Sequence, residues 1–278
     1  MTTHFPNPAL AIHKNFVHVE RVSKRYVSDT GGIEILHDVS FHIADQKFVS
    51  ILGPSGCGKS TLLMMLAGLE PISSGHISIG GQPMLAPRRD VGVIFQDPTL
   101  LPWKSALENV LLPIEIFREP TADYQERAQM LLRMVGLDAA MHRRPSQLSG
   151  GMRQRVAICR ALIHEPIVLL MDEPFSSLDA ITRDDLNLTL LEIWQRQRQT
   201  ALFVTHSIRE AVFLSDQVIV LGGKPGTLIA DVHVPFSRPR NPMIGDTPEF
   251  HKICGVLRAH LSSGHGGNGG SDAPAIAG

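Results

Sequence analysis

The sequence predicts an α/β fold, a mostly parallel sheet with helices on both faces and a helical segment inserted into it. Three observations lead there. Short apolar runs of strand length recur at Phe48–Leu52, 91–95, 167–171, 201–204 and 217–221. Segments with helical spacing separate several of them, the pattern of alternating strand and helix. A glycine-rich loop follows the first run and leads straight into a helical pattern at 61–69.

In chain order, residues 1–13, which include Pro6 and Pro8, read as a loose lead-in. Phe16, Val17, Val19 and Val22 are β-like and partly alternating, and 33–43 repeats the pattern around His37 and Asp38. After the 91–95 run the character changes. The stretch 98–163 is richer in Leu, Met, Arg and Gln at helical spacing, as in 124–135 and 153–163, and reads as a helical subdomain. The main domain spans 14–240, followed by an extension over 241–261. The tail 262–278 is rich in Gly, Ser and Ala, holds almost no large apolar group, and reads as disordered.

Composition narrows the function classes. With 43% apolar residues in 278, the chain can bury a sizeable core. The 26 basic and 27 acidic residues nearly cancel, so no counterion-release term favours nucleic acid as a partner. Cys57, Cys159 and Cys254 stand far apart, which argues against a disulfide framework or zinc site and for a reducing compartment. No signal-peptide core and no apolar stretch near the roughly 20 residues of a spanning helix are present. If the protein works at a membrane, another chain must cross it.

Two motifs carry nucleotide chemistry. Gly53-Pro54-Ser55-Gly56-Cys57-Gly58-Lys59-Ser60 fits G-x-x-x-x-G-K-[ST] between a strand and a helix. Such a loop curls so that successive N–H groups cradle the β- and γ-phosphates, aided by the positive end of the following helix. Lys59 supplies a charge to those oxygens and the Ser60 hydroxyl is placed to ligate Mg²⁺. The second motif is the apolar run 167–171 followed by Asp172 and Glu173. Asp172 would hold Mg²⁺ through its water shell, and Glu173 would polarise the attacking water as general base. Alone, two acids before Pro174 read equally well as a helix N-terminus; beside a phosphate loop the catalytic reading prevails.

Leu148-Ser149-Gly150-Gly151-Met152, followed by the basic helix Arg153 to Leu162, resembles the signature motif of the ABC-transporter ATPases, and the resemblance extends from about 16 to 239. It implies a P-loop NTPase (RecA-like) core with an antiparallel β subdomain and an inserted α-helical subdomain. It implies ATP and Mg²⁺ as ligands, with Thr61 beside Ser60 in the phosphate-binding set. It also implies a head-to-tail homodimer, in which Ser149, Gly150 and Gly151 of one copy meet the ATP held by the other. Gln96 resembles the family's hinge glutamine, which senses Mg²⁺ and the γ-phosphate. Ser176-Ser177-Leu178-Asp179 resembles its dimer-contact loop, His206 its switch histidine, and Tyr26 the aromatic that stacks on adenine. Taken singly, His206 reads as a surface residue and Tyr26 as strand core. Met152 departs from the family's commoner Gln.

Met152, the segment Leu100-Leu101-Pro102-Trp103-Lys104 and Arg238-Pro239-Arg240 resemble the branch of nitrate, sulfonate and taurine importers. That branch implies a peripheral subunit at the cytoplasmic face of the inner membrane, a separate integral-membrane permease, and indirectly a solute-binding protein. The soluble ATPase of an exporter or lipid-trafficking complex is the alternative. Leu100, Leu101 and Trp103 either fold inward or meet the permease. Cys57, inside the loop, predicts that alkylation blocks hydrolysis and that MgATP protects.

Overall fold

A computed structural model describes residues 16–28 and 31–263. The lead-in 1–13 and the part of the tail over 264–278 lie outside the described residues.

Strands β1 (Val17–Ser28) and β2 (Gly31–Ile43) form a long antiparallel pair, and β3 (Phe48–Leu52) runs into the glycine-rich loop and α1 (Lys59–Leu66). Then come β4 (Ser74–Ile79), β5 (Gln82–Pro83) and β6 (Val91–Ile94). A helical stretch follows, with α2 (Ala106–Ile116), α3 (Gln125–Met134) and α4 (Gly150–Leu162). Next are β7 (Val168–Asp172), α5 (Ala180–Gln197), β8 (Thr200–Thr205), α6 (Ile208–Leu214), β9 (Gln217–Gly222) and β10 (Thr227–His233). A 3₁₀ turn at Pro242–Asp246 leads into α7 (Pro248–Ser263).

The strands make two sheets. One is antiparallel, ordered β2-β1-β4-β5; the other is ordered β10-β9-β3-β8-β7-β6, parallel except for β10. Strands β3, β7 and β8 are apolar almost throughout because both faces of the parallel sheet are covered. Alternate residues serve opposite cores. Leu169, Met171, Ala201 and Phe203 join the helical stretch and α5 on one face. Val168, Leu170, Leu202 and Val204 meet α1 and the antiparallel sheet on the other. Beyond β3, Leu52, Val218 and Val220 pack under α6 and α7.

Two boundaries differ from the sequence reading. The strand before the acids starts and ends one residue later than 167–171, so Asp172 belongs to β7 itself. The tail does not begin at 262, because Ser262 and Ser263 complete α7. Their hydroxyls donate to the Arg258 (3.0 Å) and His260 (2.9 Å) carbonyls, which satisfies groups the helix end leaves unpaired.

The chain beyond the sheet is pinned by one carboxylate. Asp216 Oδ2 accepts the Phe48 N–H at 3.0 Å, and Asp216 Oδ1 receives Arg238 Nε at 3.0 Å with Arg240 at 3.7 Å. The Arg238 guanidinium also stacks 4.6 Å from the Trp194 ring, and Arg240 donates to the Ser215 carbonyl at 2.5 Å. Burial pushes Arg240 down to about 10. Removing Asp216 leaves the buried Arg240 and the half-buried Arg238 without their counter-charge. Asp216→Ala is therefore expected to cost about 3 kcal/mol, a fall in melting temperature on the order of 6 °C, measured by thermal unfolding.

Candidate functional site

The site forms at the carboxyl edge of three adjacent parallel strands. In register, Leu52 of β3 lies opposite Thr205 of β8, and Val204 of β8 opposite Asp172 of β7. The residues that follow, Gly53, His206 and Glu173, therefore leave the sheet side by side, where open α/β sheets bind ligands.

The loop after β3 is shaped by its glycines. Gly58 has φ +94°, and a Cβ there would meet Leu36 Cδ2 at 2.7 Å, so only glycine permits both the turn and the packing of β2 beneath it. Pro54 and Thr61 are half-buried, and Ser55, Gly56 and Ser60 face solvent. Lys59 is buried and donates to the Gly53 (2.9 Å) and Pro54 (3.0 Å) carbonyls, so its amine spans the mouth of its own loop. Cys57 is only 1% exposed, and burial pushes its thiol up. That corrects the alkylation expectation: this side chain lies under the loop in its poorly reactive thiol form, and the loop contributes backbone at this position.

Glu173 is held from two sides. Its Oε1 lies 3.7 Å from Lys59 Nζ, and its Oε2 lies 3.0 Å from His206 Nδ1. Its backbone has φ +42°, uncommon for a non-glycine residue and imposed by the turn out of β7. Asp172, one residue earlier, accepts from the Ser60 hydroxyl at 3.0 Å. Burial first, and the neighbouring Glu173 charge as well, hold the Asp172 carboxyl above the usual carboxylate range. A half-desolvated carboxylate beside a hydroxyl is a set of hard oxygens that lacks positive charge, which suits a divalent cation such as Mg²⁺.

The remaining predicted residues lie further out. Tyr26 is 42% exposed on β1, with Lys24 Nζ 4.6 Å from its ring centroid and Ile33 as its cross-strand partner; it is not strand core. Gln96 is exposed at the end of β6 and shares a cleft with Gly150, Arg153 and Ser177. Ser149 caps α4, its hydroxyl accepting from Met152 N at 3.3 Å, and Asp179 caps α5 by accepting from Thr182 N at 3.0 Å. A Cβ on Gly151 would meet Thr182 Cγ2 at 2.8 Å, so this glycine lets the two helix starts approach. Among the described residues, no hydrogen bond joins Ser149, Gly150 or Gly151 to the phosphate loop of the same chain.

Between Gln96 and α2 the loop is fixed rather than loose. Arg160 donates to the Pro98 (2.7 Å) and Thr99 (2.9 Å) carbonyls, and the buried Asn109 accepts Leu101 N at 2.8 Å. Leu100 packs on the helical core, whereas Trp103 is left 66% exposed. Of the two outcomes foreseen for this loop, Leu100 takes the inward one, and Trp103 does not fold inward. Sequence reasoning missed Lys224, in the β9–β10 turn, whose Nζ lies 3.6 Å from where a Gly56 Cβ would stand. It also missed Thr205 and Glu210, which hold the turn around His206. Lys224 carries no motif, and Glu210 looks like an ordinary first-turn acid of α6.

Residues 36–176 match the model of the ABC transporter family. The chain is 43% identical over 244 residues to the nitrate import ATP-binding protein NrtD of Synechococcus elongatus, covering 86% of this chain and 89% of that one. It is 44% identical over 237 residues to the taurine import ATP-binding protein TauB of Rhizobium johnstonii, covering 83% and 90%. Its fold superposes on the dimeric, post-hydrolysis ATP-binding cassette MJ0796 bound to ADP and Pi, with TM-score 0.70 and 33% identity over 80% of this chain and all of that one. The family match and relatives above 40% identity over most of both chains agree with the phosphate loop, paired acids and His206 gathered at one sheet edge: the chain belongs to the ABC transporter family, as an ATP-binding ATPase.

Proposed function

We propose that this protein is the ATP-hydrolysing subunit of an importer for a small solute of the nitrate, sulfonate or taurine kind. The observation that carries the chemical part is Glu173 suspended between Lys59 and His206 at 3.7 and 3.0 Å. A carboxylate so fixed is placed to orient and deprotonate a water aimed at the γ-phosphoryl group. Lys59 and the N–H groups of the loop from Gly53 to Ser60, Pro54 excepted, bind the phosphates, Thr61 adds its hydroxyl, and Tyr26 stacks on the adenine. Ser60, Asp172 and Gln96 are the residues that would hold Mg²⁺, which when bound neutralises charge on the β- and γ-oxygens. His206 keeps Glu173 oriented and contacts the γ-phosphate.

Two copies complete the site. Among the described residues Ser149, Gly150 and Gly151 make no hydrogen bond to their own phosphate loop, which supports a role toward another chain's ATP, and the structural relative MJ0796 is described as dimeric. Asp179 and the Ser176 to Leu178 loop meet the partner beside it. Among the described residues no helix is long and apolar enough to cross a membrane; the reading pairs this chain with a separate permease, met at the membrane's cytoplasmic face. Trp103, exposed on a loop braced by Arg160 and Asn109, is the anchor for that permease, and a solute-binding protein supplies the cargo. In domain terms 14–240 is the motor, 98–163 its permease-facing helical part, and 241–261 an extension.

Three outcomes test the proposal. Glu173→Gln is expected to lower ATP turnover about 100-fold or more while ATP binding persists; normal hydrolysis removes the general-base role. Trp103→Ala is expected to weaken ATP-coupled uptake with basal ATPase kept within about twofold, and unchanged uptake would remove Trp103 as the permease anchor. Tagged protein drawn from gently solubilised native membranes is expected to bring a multispanning permease with it, and purely soluble partners would overturn the transport reading.

A further inference from the structure

Behind Glu173 and His206 lies a cavity of about 10 Å³, room for one water molecule, lined by the rings of Phe175 and Phe203 as well as by Ser176, Arg183, Thr205 and Glu210. Its walls come from the loop that leads to Asp179, helix α5, the end of β8 with the turn that carries His206, and helix α6. The polar contacts around it form a chain with one gap, between Arg183 and Glu210. Ser207 N donates to Thr205 Oγ1 at 2.9 Å, and Thr205 Oγ1 donates to Glu210 Oε2 at 2.6 Å. The Ser207 hydroxyl in turn accepts from Glu210 N at 3.3 Å, so the turn on both sides of His206 is tied to Glu210.

The other carboxylate oxygen of Glu210 faces Arg183. Arg183 Nε is buried without a hydrogen-bond partner and lies 3.8 Å from Glu210 Oε1, too far for a direct bond but suited to one bridged by a water. The same guanidinium reaches the opposite way, donating from its Nη2 to the Leu178 carbonyl at 2.8 Å. Ser176 closes the ring by donating to the Glu173 carbonyl at 3.0 Å. Leu178 is thereby linked through Arg183, Glu210 and Thr205 to the backbone that aims His206 at Glu173.

We propose that Arg183 and Glu210 are positioning residues that lock the His206 turn to the Leu178–Asp179 loop through a single bridging water. Neither touches nucleotide. Their role is to let the arrival of a second copy at the 176–179 loop set the angle of His206, and so the readiness of Glu173. This rests on the assignment of Glu173 as general base and His206 as its partner. A displacement near 1 Å at such a pair is enough to cost one to two orders of magnitude in rate without changing ATP affinity.

The test is steady-state ATPase on the full chain with five variants. Glu210→Ala is expected to lower kcat about tenfold while KM for ATP moves less than about twofold. Glu210→Gln keeps an acceptor for the Thr205 hydroxyl and is expected to restore most of that loss. Arg183→Met is expected to lower kcat alone, and Arg183→Met combined with Glu210→Ala to fall no further than the worse single variant, because both act through one linkage. Wild-type kcat in Glu210→Ala, equal loss of ATP binding, or full additivity in the double variant overturns the proposal. Should Glu210→Ala fail to fold, Glu210→Gln and Arg183→Met decide it by the same split between kcat and KM. The fifth variant, His206→Ala, separates the two layers of argument. If it hydrolyses normally, the site reading itself fails; if it is inactive while Glu210→Ala is not, only the present inference falls.

Discussion

The structure turns on the alignment of three neighbouring parallel strands, β3, β8 and β7, whose carboxyl ends stop at nearly the same level. That register puts Lys59, His206 and Glu173 within reach of one another even though they lie in separate parts of the chain. A slip of one residue in either pairing would turn a side chain of the site into one of the two cores. The fully apolar strands matter for this reason: they bury both sheet faces, and with them fix the register on which the polar edge depends.

The charges at that edge form a set prepared for a ligand. Lys59 is buried and held by the carbonyls of Gly53 and Pro54, Glu173 lies between Lys59 and His206, and burial holds the Asp172 carboxyl above its usual range beside the Ser60 hydroxyl. Each group is desolvated in part and only partly compensated. Bound phosphates would answer Lys59, and a divalent cation, if held as proposed, would answer the two carboxylates. The signature residues Ser149 to Gly151 add nothing to the site of their own chain. In the proposed dimer they would be brought across it by a second molecule, and the unit of function would be a pair.

What could be read from the sequence followed from how local the feature is. The phosphate loop and the Asp172–Glu173 pair are contiguous, and their residue types have few other uses in that order, so roles could be proposed for them before the fold was seen. The parallel core was legible as well, because its strands are unbroken apolar runs. The edge strand β10 was not, since half-exposed positions along Thr227–His233 dilute any alternation. Nor was the burial of Cys57, which depends on the loop's curl and not on its letters. Tyr26 could not be placed on a face because bulges interrupt β1, and only the fold shows it exposed beside Ile33. Arg183, Thr205 and Glu210 meet through tertiary contact alone, and each has an ordinary local explanation in its own segment.

The central claim is that ATP is held between two copies of this chain. Sedimentation of the Glu173→Gln protein, with ADP and then with MgATP, tests it most directly. The account predicts monomers with ADP, dimers with MgATP, and no dimer when Ser149→Arg is added although ATP is still bound. A Glu173→Gln chain that binds MgATP tightly and stays monomeric, or a dimer indifferent to Ser149→Arg, would contradict it.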